Sequence, residues 1–343
     1  MKYSDAGVNI DRGNAFVERI KSAARSTLRK GVLSGIGGFA GLFEIDRKKY
    51  RHPVIVTSTD GVGTKLKIAF AMGVHDTVGI DLVAMNVNDV VVNGAEPVAF
   101  LDYIATSRLK LGIAEDIVKG IVNGCRQADC SLLGGETAEL PGFYANDEYD
   151  LAGFVIGVVG KNKILTGSDV RPGDVLIGIG SSGLHSNGYS LARYVLLEKK
   201  RIKLNAYIDE LGCRLGEELL RPTIIYVRTI LALFNGNLLK AAAHITGGGI
   251  PDNLPRVLPG KYGAVIRTGS WQVPPVFSMI KKLGSVDQTE MLRTFNNGLG
   301  MIVVVGKDSV DSAVRIIRSQ RQRAYVIGEM RHSGKSKRRV EFV

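Results

Sequence analysis

In both halves of this chain, glycine-rich loops stand at the ends of apolar, β-branched runs. That pattern points to a mixed α/β architecture with ligand sites at strand ends. YRHPVIVTST (50–59) has the Val, Ile and Thr density of a strand and runs without a break into DGVGTK (60–65). PVAFLDYIAT (97–106), CSLLGG (130–135) and LAGFVIGVVG (151–160) read as further strands, with ETAELPGFYANDEYD as a loop between the last two. In DLVAMNVNDVVVNGA (81–95) the valines fit a strand, but Asn86, Asp89 and Asn93 recur at i, i+3 and i+7, which predicts one polar helical face. IAEDIVKGIVNGCRQA (113–128) is an amphipathic helix with Ile113, Ile117, Ile121 and Cys125 in register.

TGSDVRPGD (166–174) is rich in turn residues and lies between two apolar strands, so the domain boundary is placed there, giving domains 1–168 and 169–343. A length of 343 residues suits two domains. The second half opens with the strand VLIGIG, the loop SSGLHSNG and the helix GYSLARYVLLEKK. Helices then flank Pro222, and AAAHITGGGIPDN holds the last glycine loop. KDSVDSAVRIIRSQ is helical, with Val310, Val314 and Ile317 as its inner face, and AYVIGEM is a closing strand.

With 45% hydrophobic and 23% charged residues the chain can build packed cores. The longest apolar run, LAGFVIGVVG, is too short to span a bilayer and the amino terminus is too polar for a secretory signal, so a cytoplasmic protein without a membrane partner is expected. Cys125, Cys130 and Cys213 lack metal-ligand spacing and read as idle thiols of a reducing compartment. The net charge of +12 sits largely in scattered short runs (RKKYR, EKKR, RSQRQR, KSKRR), with no basic and aromatic helix face. That excludes nucleic acid as the favoured partner and leaves a solvated basic surface suited to polyanionic ligands.

The chemistry falls on the loops. In DGVGTK, Gly61 and Gly63 let backbone amides form an anion nest, Thr64 and Lys65 suit phosphate, and Asp60 suits a divalent cation. The segment lacks the Walker A spacing. GEMRHSGKS (328–336) has five residues between its glycines rather than four and precedes a charged tail, so it is rejected. Gly35, Gly37, Gly38 and Gly41 in GIGGFAGLF would form a cover that orders over phosphates. Asp81 and Asp89, set among valines, join Asp60 as carboxylates for Mg²⁺. Glu136, Thr137 and Glu139 are placed just after a strand. His185, with Ser186 and Asn187, precedes a helix start where amides favour anions. Thr246, Gly247, Gly248 and Gly249 form a loop whose three consecutive glycines imply close backbone approach to a ligand, while His244 reads as structural. No Ser-His-Asp order, H-E-x-x-H or paired C-x-x-C is present, and the chemistry indicated is phosphate plus divalent metal.

GIGGFAGLF, DGVGTK, MNVNDVVVNGAEPVAFLDY, LLGGETAELPGFY, GSSGLHSNGYSLAR, AHITGGGIPDNLPRVLP and MLRTFNNGLGM, in that order, resemble the phosphoribosylformylglycinamidine cyclo-ligase family, the aminoimidazole ribonucleotide synthetases. The resemblance runs from about residue 4 to about residue 330. It implies ATP-dependent closure of formylglycinamidine ribonucleotide to aminoimidazole ribonucleotide, with Mg²⁺, in de novo purine synthesis. Asp60, Lys65, Asp89 and His185 inherit catalytic roles, and Asp60, Asp81 and Asp89 the metal. The glycines at 35–41 and DGVGTK inherit ATP. Glu136, Thr137, His185, Ser186, Asn187 and Thr246 to Gly249 inherit the substrate. The implied fold is two α/β domains of α+β type, the amino-terminal sheets pairing across a homodimer to complete a barrel. FNNG (295–298) departs from the family in its second Asn, and KSKRRVEFV matches no motif and is expected to be unstructured surface. Selenophosphate synthetases share the pattern but carry a reactive Cys or Sec near the first glycine loop, and the hydrogenase-maturation relatives end in a functional Cys where this chain ends EFV.

Overall fold

The computed structural model describes residues 6–145, 147–332 and 339–343. Two compact units form, one from Met1–Val90 and Ala95–Asn162, the other from Val91–Gly94 and Lys163–Val343. The chain leaves the first unit ahead of TGSDVRPGD, which lies wholly in the second.

In the first unit, α1 (Ile10–Arg25) starts at Asn9, whose side chain accepts from Arg12 N at 2.9 Å. It is followed by β1 (Pro53–Gly61), α2 (Leu66–Met72), α3 (Val78–Val91), β2 (Glu96–Thr106), α4 (Leu111–Ala128), β3 (Ser131–Glu139) and β4 (Tyr149–Gly160). The sheet order is β1-β4-β2-β3, with β4 antiparallel to both neighbours and β2 parallel to β3. Along β4 the odd-numbered residues are buried while Asp150 and Phe154 are exposed, so one face of the sheet is covered and the other is open. The covering helix comes very close. A Cβ on Gly153 would lie 2.6 Å from Asn86 Nδ2, and one on Gly157 would lie 2.3 Å from Val90 Cγ1. Helices α3 and α4 also touch backbone to backbone, since a Cβ on Gly79 would meet Ile117 O at 2.3 Å.

Two expectations need correction here. Strand β3 does not stop at the glycines but continues through Glu139, pairing Glu136 with Tyr103 and Thr137 with Ile104. Glu136 and Thr137 therefore stand in a strand and not in a loop or cap, because β2 supplies a partner ladder that local turn signals cannot reveal. Helix α3 ends at Val91, so Asn93 falls beyond it, and its carbonyl accepts from Leu165 N at 3.0 Å.

The second unit holds β5 (Val175–Gly180), α5 (Tyr189–Arg193) with a wider turn to Lys199, and the short pair β6 (Tyr207–Ile208) and β7 (Cys213–Arg214). Next come α6 (Leu215–Leu219), α7 (Val227–Asn235), β8 (Leu239–His244), α8 (Gly249–Asn253), β9 (Tyr262–Ile266), α9 (Pro275–Gly284) and α10 (Gln288–Thr294). The unit ends with β10 (Leu299–Val305), α11 (Val310–Ser319), β11 (Ala324–His332) and β12 (Val340–Phe342). Six strands run in the order β12-β9-β11-β5-β10-β8, antiparallel except for β12 beside β9. The antiparallel pairing makes this an α+β unit. Leu176, Ala241, Ala243, Ile302 and Val304 of the sheet pack with Ile250, Leu254 and Trp271 in the core. In α11 the inner face is carried by buried Ala313 and Ile317, with Val310 and Val314 half-buried.

The tail reading is corrected in part. Residues 333–338 lie outside the described residues, but Val340–Phe342 forms a strand. Arg339 anchors it by donating to Pro255 O at 2.9 Å and to Leu258 O at 2.7 Å. The departing Asn297 has φ 48° and donates to Met291 O at 2.8 Å and Phe295 O at 2.9 Å, a left-handed position that Asn tolerates.

Candidate active site

DGVGTK lies where β1 meets helix. Asp60 is in the last turn of the ladder, Gly61 N donates to Asp60 Oδ1 at 2.7 Å, and Gly63 takes φ +69° to start a single tight turn through Lys65. Asn86 of α3 ties the two elements together, donating to Asp60 O at 3.3 Å and Leu82 O at 2.8 Å. Ser58 Oγ lies 3.5 Å from Asp89 Oδ2. Asp60 and Asp89, both half-buried, are thus brought to one end of the β1–α3 contact.

Lys65 and Asp81 are not part of an open ligand surface. Lys65 Nζ lies 2.7 Å from Asp81 Oδ2 and both side chains are fully buried. Burial lowers the Lys65 pKa, opposed by the charge and hydrogen bond of Asp81. Lys65 and Asp81, expected at phosphate and at metal, are here paired with each other in the interior, each balancing the other's charge. Among the described residues no group of three or more His, Cys, Asp or Glu gathers to hold a metal ion, so the three-carboxylate site is not formed. Asp60 and Asp89 remain. Mg²⁺ commonly needs only one or two carboxylates with substrate phosphates and water, and this pair fits that requirement.

The glycine segment 35–41 borders a cleft of about 810 Å³. Gly37, Gly38 and Gly41 line it, as do Gly134, Gly135 and Glu136 of β3, while Gly35 does not. Gly37 has φ +117° and Phe39 at the segment's tip is fully exposed. The stretch belongs to no strand or helix: bridges pair Val32 with Phe43 and Ile36 with Gly38. Its base is closed by Leu33 N donating to Leu42 O at 2.9 Å and Leu42 N to Ser34 Oγ at 2.7 Å, which leaves the tip around Phe39 as the part able to move as a cover. Gly61, Gly63 and Thr64 are not among the cleft's lining residues. Thr137 is half-buried in β3.

Asp102, which sequence reasoning passed over, does line the cleft. Its signal was visible: a carboxylate in the middle of the apolar run PVAFLDYIAT. Burial pushes its pKa up to about 7.

In the second unit, the loops after β5 and β8 are joined. Gly247 N donates to Asn187 Oδ1 at 3.0 Å. Asn253 Nδ2 donates to Thr246 O, Gly247 O and Gly249 O at 3.4, 3.1 and 2.8 Å, holding the glycine turn from inside. Gly249 has φ +59°, and a Cβ there would lie 1.8 Å from Leu292 O, so glycine is required. Ser186 Oγ is 3.1 Å from Thr223 Oγ1. His185 does not stand open in the loop. It is buried, with φ 61°, and its Nε2 accepts from Ser182 N at 3.2 Å, which uses the imidazole to fasten the loop.

The family described as AIR synthase related protein matches twice, its N-terminal domain over residues 40–159 and its C-terminal domain over residues 171–341. A protein of Desulfatibacillum aliphaticivorans named phosphoribosylformylglycinamidine cyclo-ligase is 50% identical over 100% of this chain and 99% of its own. One of Thermoanaerobacter pseudethanolicus with the same name is 56% identical over 96% of this chain and 97% of its own. Among solved structures, a thiamine-monophosphate kinase from Stenotrophomonas maltophilia superposes with TM-score 0.68 at 19% identity, covering 96% of this chain and 95% of its own. The hydrogenase maturation protein HypE in complex with ATP superposes with TM-score 0.67 at 17% identity, covering 95% and 91%. These two share the fold.

Proposed function

This chain belongs to the AIR synthase family, and from that membership we propose that it catalyses the cyclo-ligase reaction for which its near relatives are named. Formylglycinamidine ribonucleotide and ATP give 5-aminoimidazole ribonucleotide, ADP and phosphate. The observation that carries this reading is the identity of 50% and 56% along nearly the whole chain, which spans every glycine loop described above.

A formamide oxygen is a poor leaving group. Transfer of the ATP γ-phosphoryl to it gives an iminophosphate, the amidine nitrogen attacks the activated carbon, and phosphate leaves as the ring closes. Positioning and charge neutralisation dominate such transfers. In the first unit, the cleft receives ATP, with Gly37, Gly38, Gly134 and Gly135 allowing backbone to approach the phosphates. Residues 35–41 close over it and exclude water. Mg²⁺, when bound, neutralises phosphate charge, and Asp60 and Asp89 are the carboxylates that fit it. Lys65 acts through Asp81 as an internal brace behind that loop. In the second unit, Ser186, Asn187 and the Thr246–Gly249 turn take the substrate's ribose phosphate on backbone and hydroxyl donors.

A second copy of the chain is the proposed partner. Among the described residues no strand lies beside the outer edge of β1, and Pro53, Ile55, Thr57 and Thr59 of that strand are exposed, as is Phe154 of β4. Among the described residues no helix is long and apolar enough to cross a membrane.

The test is incubation with Mg·ATP and formylglycinamidine ribonucleotide while ADP and aminoimidazole are followed together. Equal amounts of both are expected. ADP without aminoimidazole would refute the assigned acceptor.

A further inference from the structure

Asp102 occupies an apolar strand and is at most 9% exposed, yet it lines the cleft beneath the glycine segment. Room has been left for its carboxyl. Gly135 is its partner on β3, and a Cβ there would lie 2.4 Å from Asp102 Oδ1. On its other side the partner is Gly153 of β4, with Asp60 next in line on β1. Two strand spacings, about 10 Å, therefore separate the two aspartates.

The groups that face Asp102 do not neutralise it. From α1 the cleft presents Glu18 and Lys21, which pair with each other, while Glu136 of β3 pairs with Tyr103 and so stands on the other face of the sheet from Asp102. Helix α4 contributes Cys125, a buried thiol whose pKa burial also raises, and Tyr103 is its neighbour on β2. Desolvation raises the carboxyl's pKa, and a hydrogen bond from its own backbone N–H is what opposes it. A phosphate-bearing ligand entering this cleft adds more negative charge beside a carboxyl that already holds its proton weakly opposed. Binding and protonation must then favour each other.

We propose that Asp102 is a ligand-facing acid of this cleft, which keeps its proton while an anionic nucleotide is bound and donates it as a hydrogen bond to the ligand. The inference deepens the proposed function and rests on its reading of the cleft as the nucleotide site. It assigns Asp102 a binding role in that site that none of the glycine loops supplies. Above neutral pH the ligand must bring a proton with it, so affinity falls by about tenfold per pH unit.

The experiment is calorimetric titration of the full chain with a non-hydrolysable ATP analogue and Mg²⁺, which keeps the ligand's own phosphates ionised. Titrations run from pH 6 to pH 9, in paired buffers of different ionisation heat. Wild type is expected to take up close to one proton per site above pH 7. Asp102→Asn, which keeps the shape and a permanent donor, is expected to take up none and to bind about tenfold more tightly than wild type at pH 8. Gly135→Ala, whose methyl group displaces the carboxyl, should weaken binding at every pH. Binding by wild type without proton uptake overturns this inference alone and needs no variant to be read. An Asn variant with the wild-type proton uptake overturns it equally. Absence of binding by wild type and variant alike overturns the nucleotide reading of the cleft as well.

Discussion

Replacing Lys65 by methionine isolates the structural claim that most alters the reading of DGVGTK. Lys65 and Asp81 are both fully buried, 2.7 Å apart. Removing the ammonium leaves a buried carboxylate without its cation, a loss of about 3–5 kcal/mol. For a unit of this size each kcal/mol moves the melting temperature by about 2–4 °C, so a fall on the order of 10 °C is expected. Asp81→Leu should cost a similar amount. The double variant, with both charges replaced by apolar groups of similar volume, should recover most of the loss, because a buried pair is worth little over a packed apolar one. Thermal melts followed by fluorescence, with cyclo-ligase turnover measured on the folded fraction, test this directly. The double variant should also retain turnover within about tenfold, a barrier change near 1.4 kcal/mol. A stable double variant with abolished turnover and normal substrate affinity would refute the reasoning and return Lys65 to the phosphates.

Three further outcomes follow from the same geometry. Burial raises the Glu96 pKa, but hydrogen bonds from Lys49, Tyr50 and Arg29 override it and pull it from 4.5 to about 2. A depressed carboxylate contributes stability above its unfolded pKa that is lost as pH falls through the folded one; with its Lys49 partner 51% exposed and screened by solvent, Glu96→Gln should lower stability at pH 7 by about 1–2 kcal/mol. The difference from wild type should shrink between pH 4.5 and pH 2 in urea melts, and a constant difference there would count against it. Asn187→Ala removes the acceptor for Gly247 N and should raise the KM for the ribonucleotide about tenfold, from loss of roughly 1–1.5 kcal/mol, with the KM for ATP little changed in steady-state assays. Chelation of Mg²⁺ should abolish turnover in wild type, and Asp60→Asn should shift the Mg²⁺ titration to higher concentration. An unshifted titration removes Asp60 from the metal.

The local pattern of this chain was legible along its length. The strand at Pro53–Gly61, the helices Val78–Val91 and Leu111–Ala128 and the strand Tyr149–Gly160 all follow from periodicity, because the signal for each sits within a few residues of itself. The order of glycine motifs carried the family in the same way. What the sequence left open depends on partners far along the chain. Strand Ser131–Glu139 runs past its glycines because Glu96–Thr106 lies beside it, and Val340–Phe342 is a strand because Tyr262–Ile266 offers an edge. A lysine in a glycine loop reads as a phosphate ligand until the packing of two helices turns it onto Asp81. An aspartate in an apolar strand is visible in the sequence, but its partners Gly135 and Gly153, and the cleft beside it whose Lys21 is paired with Glu18, are not. Helix and strand periods are properties of neighbouring residues and were set by the sequence alone. Burial, ion pairing and proton affinity are sums over everything that packs around a group, and only the tertiary structure decided them.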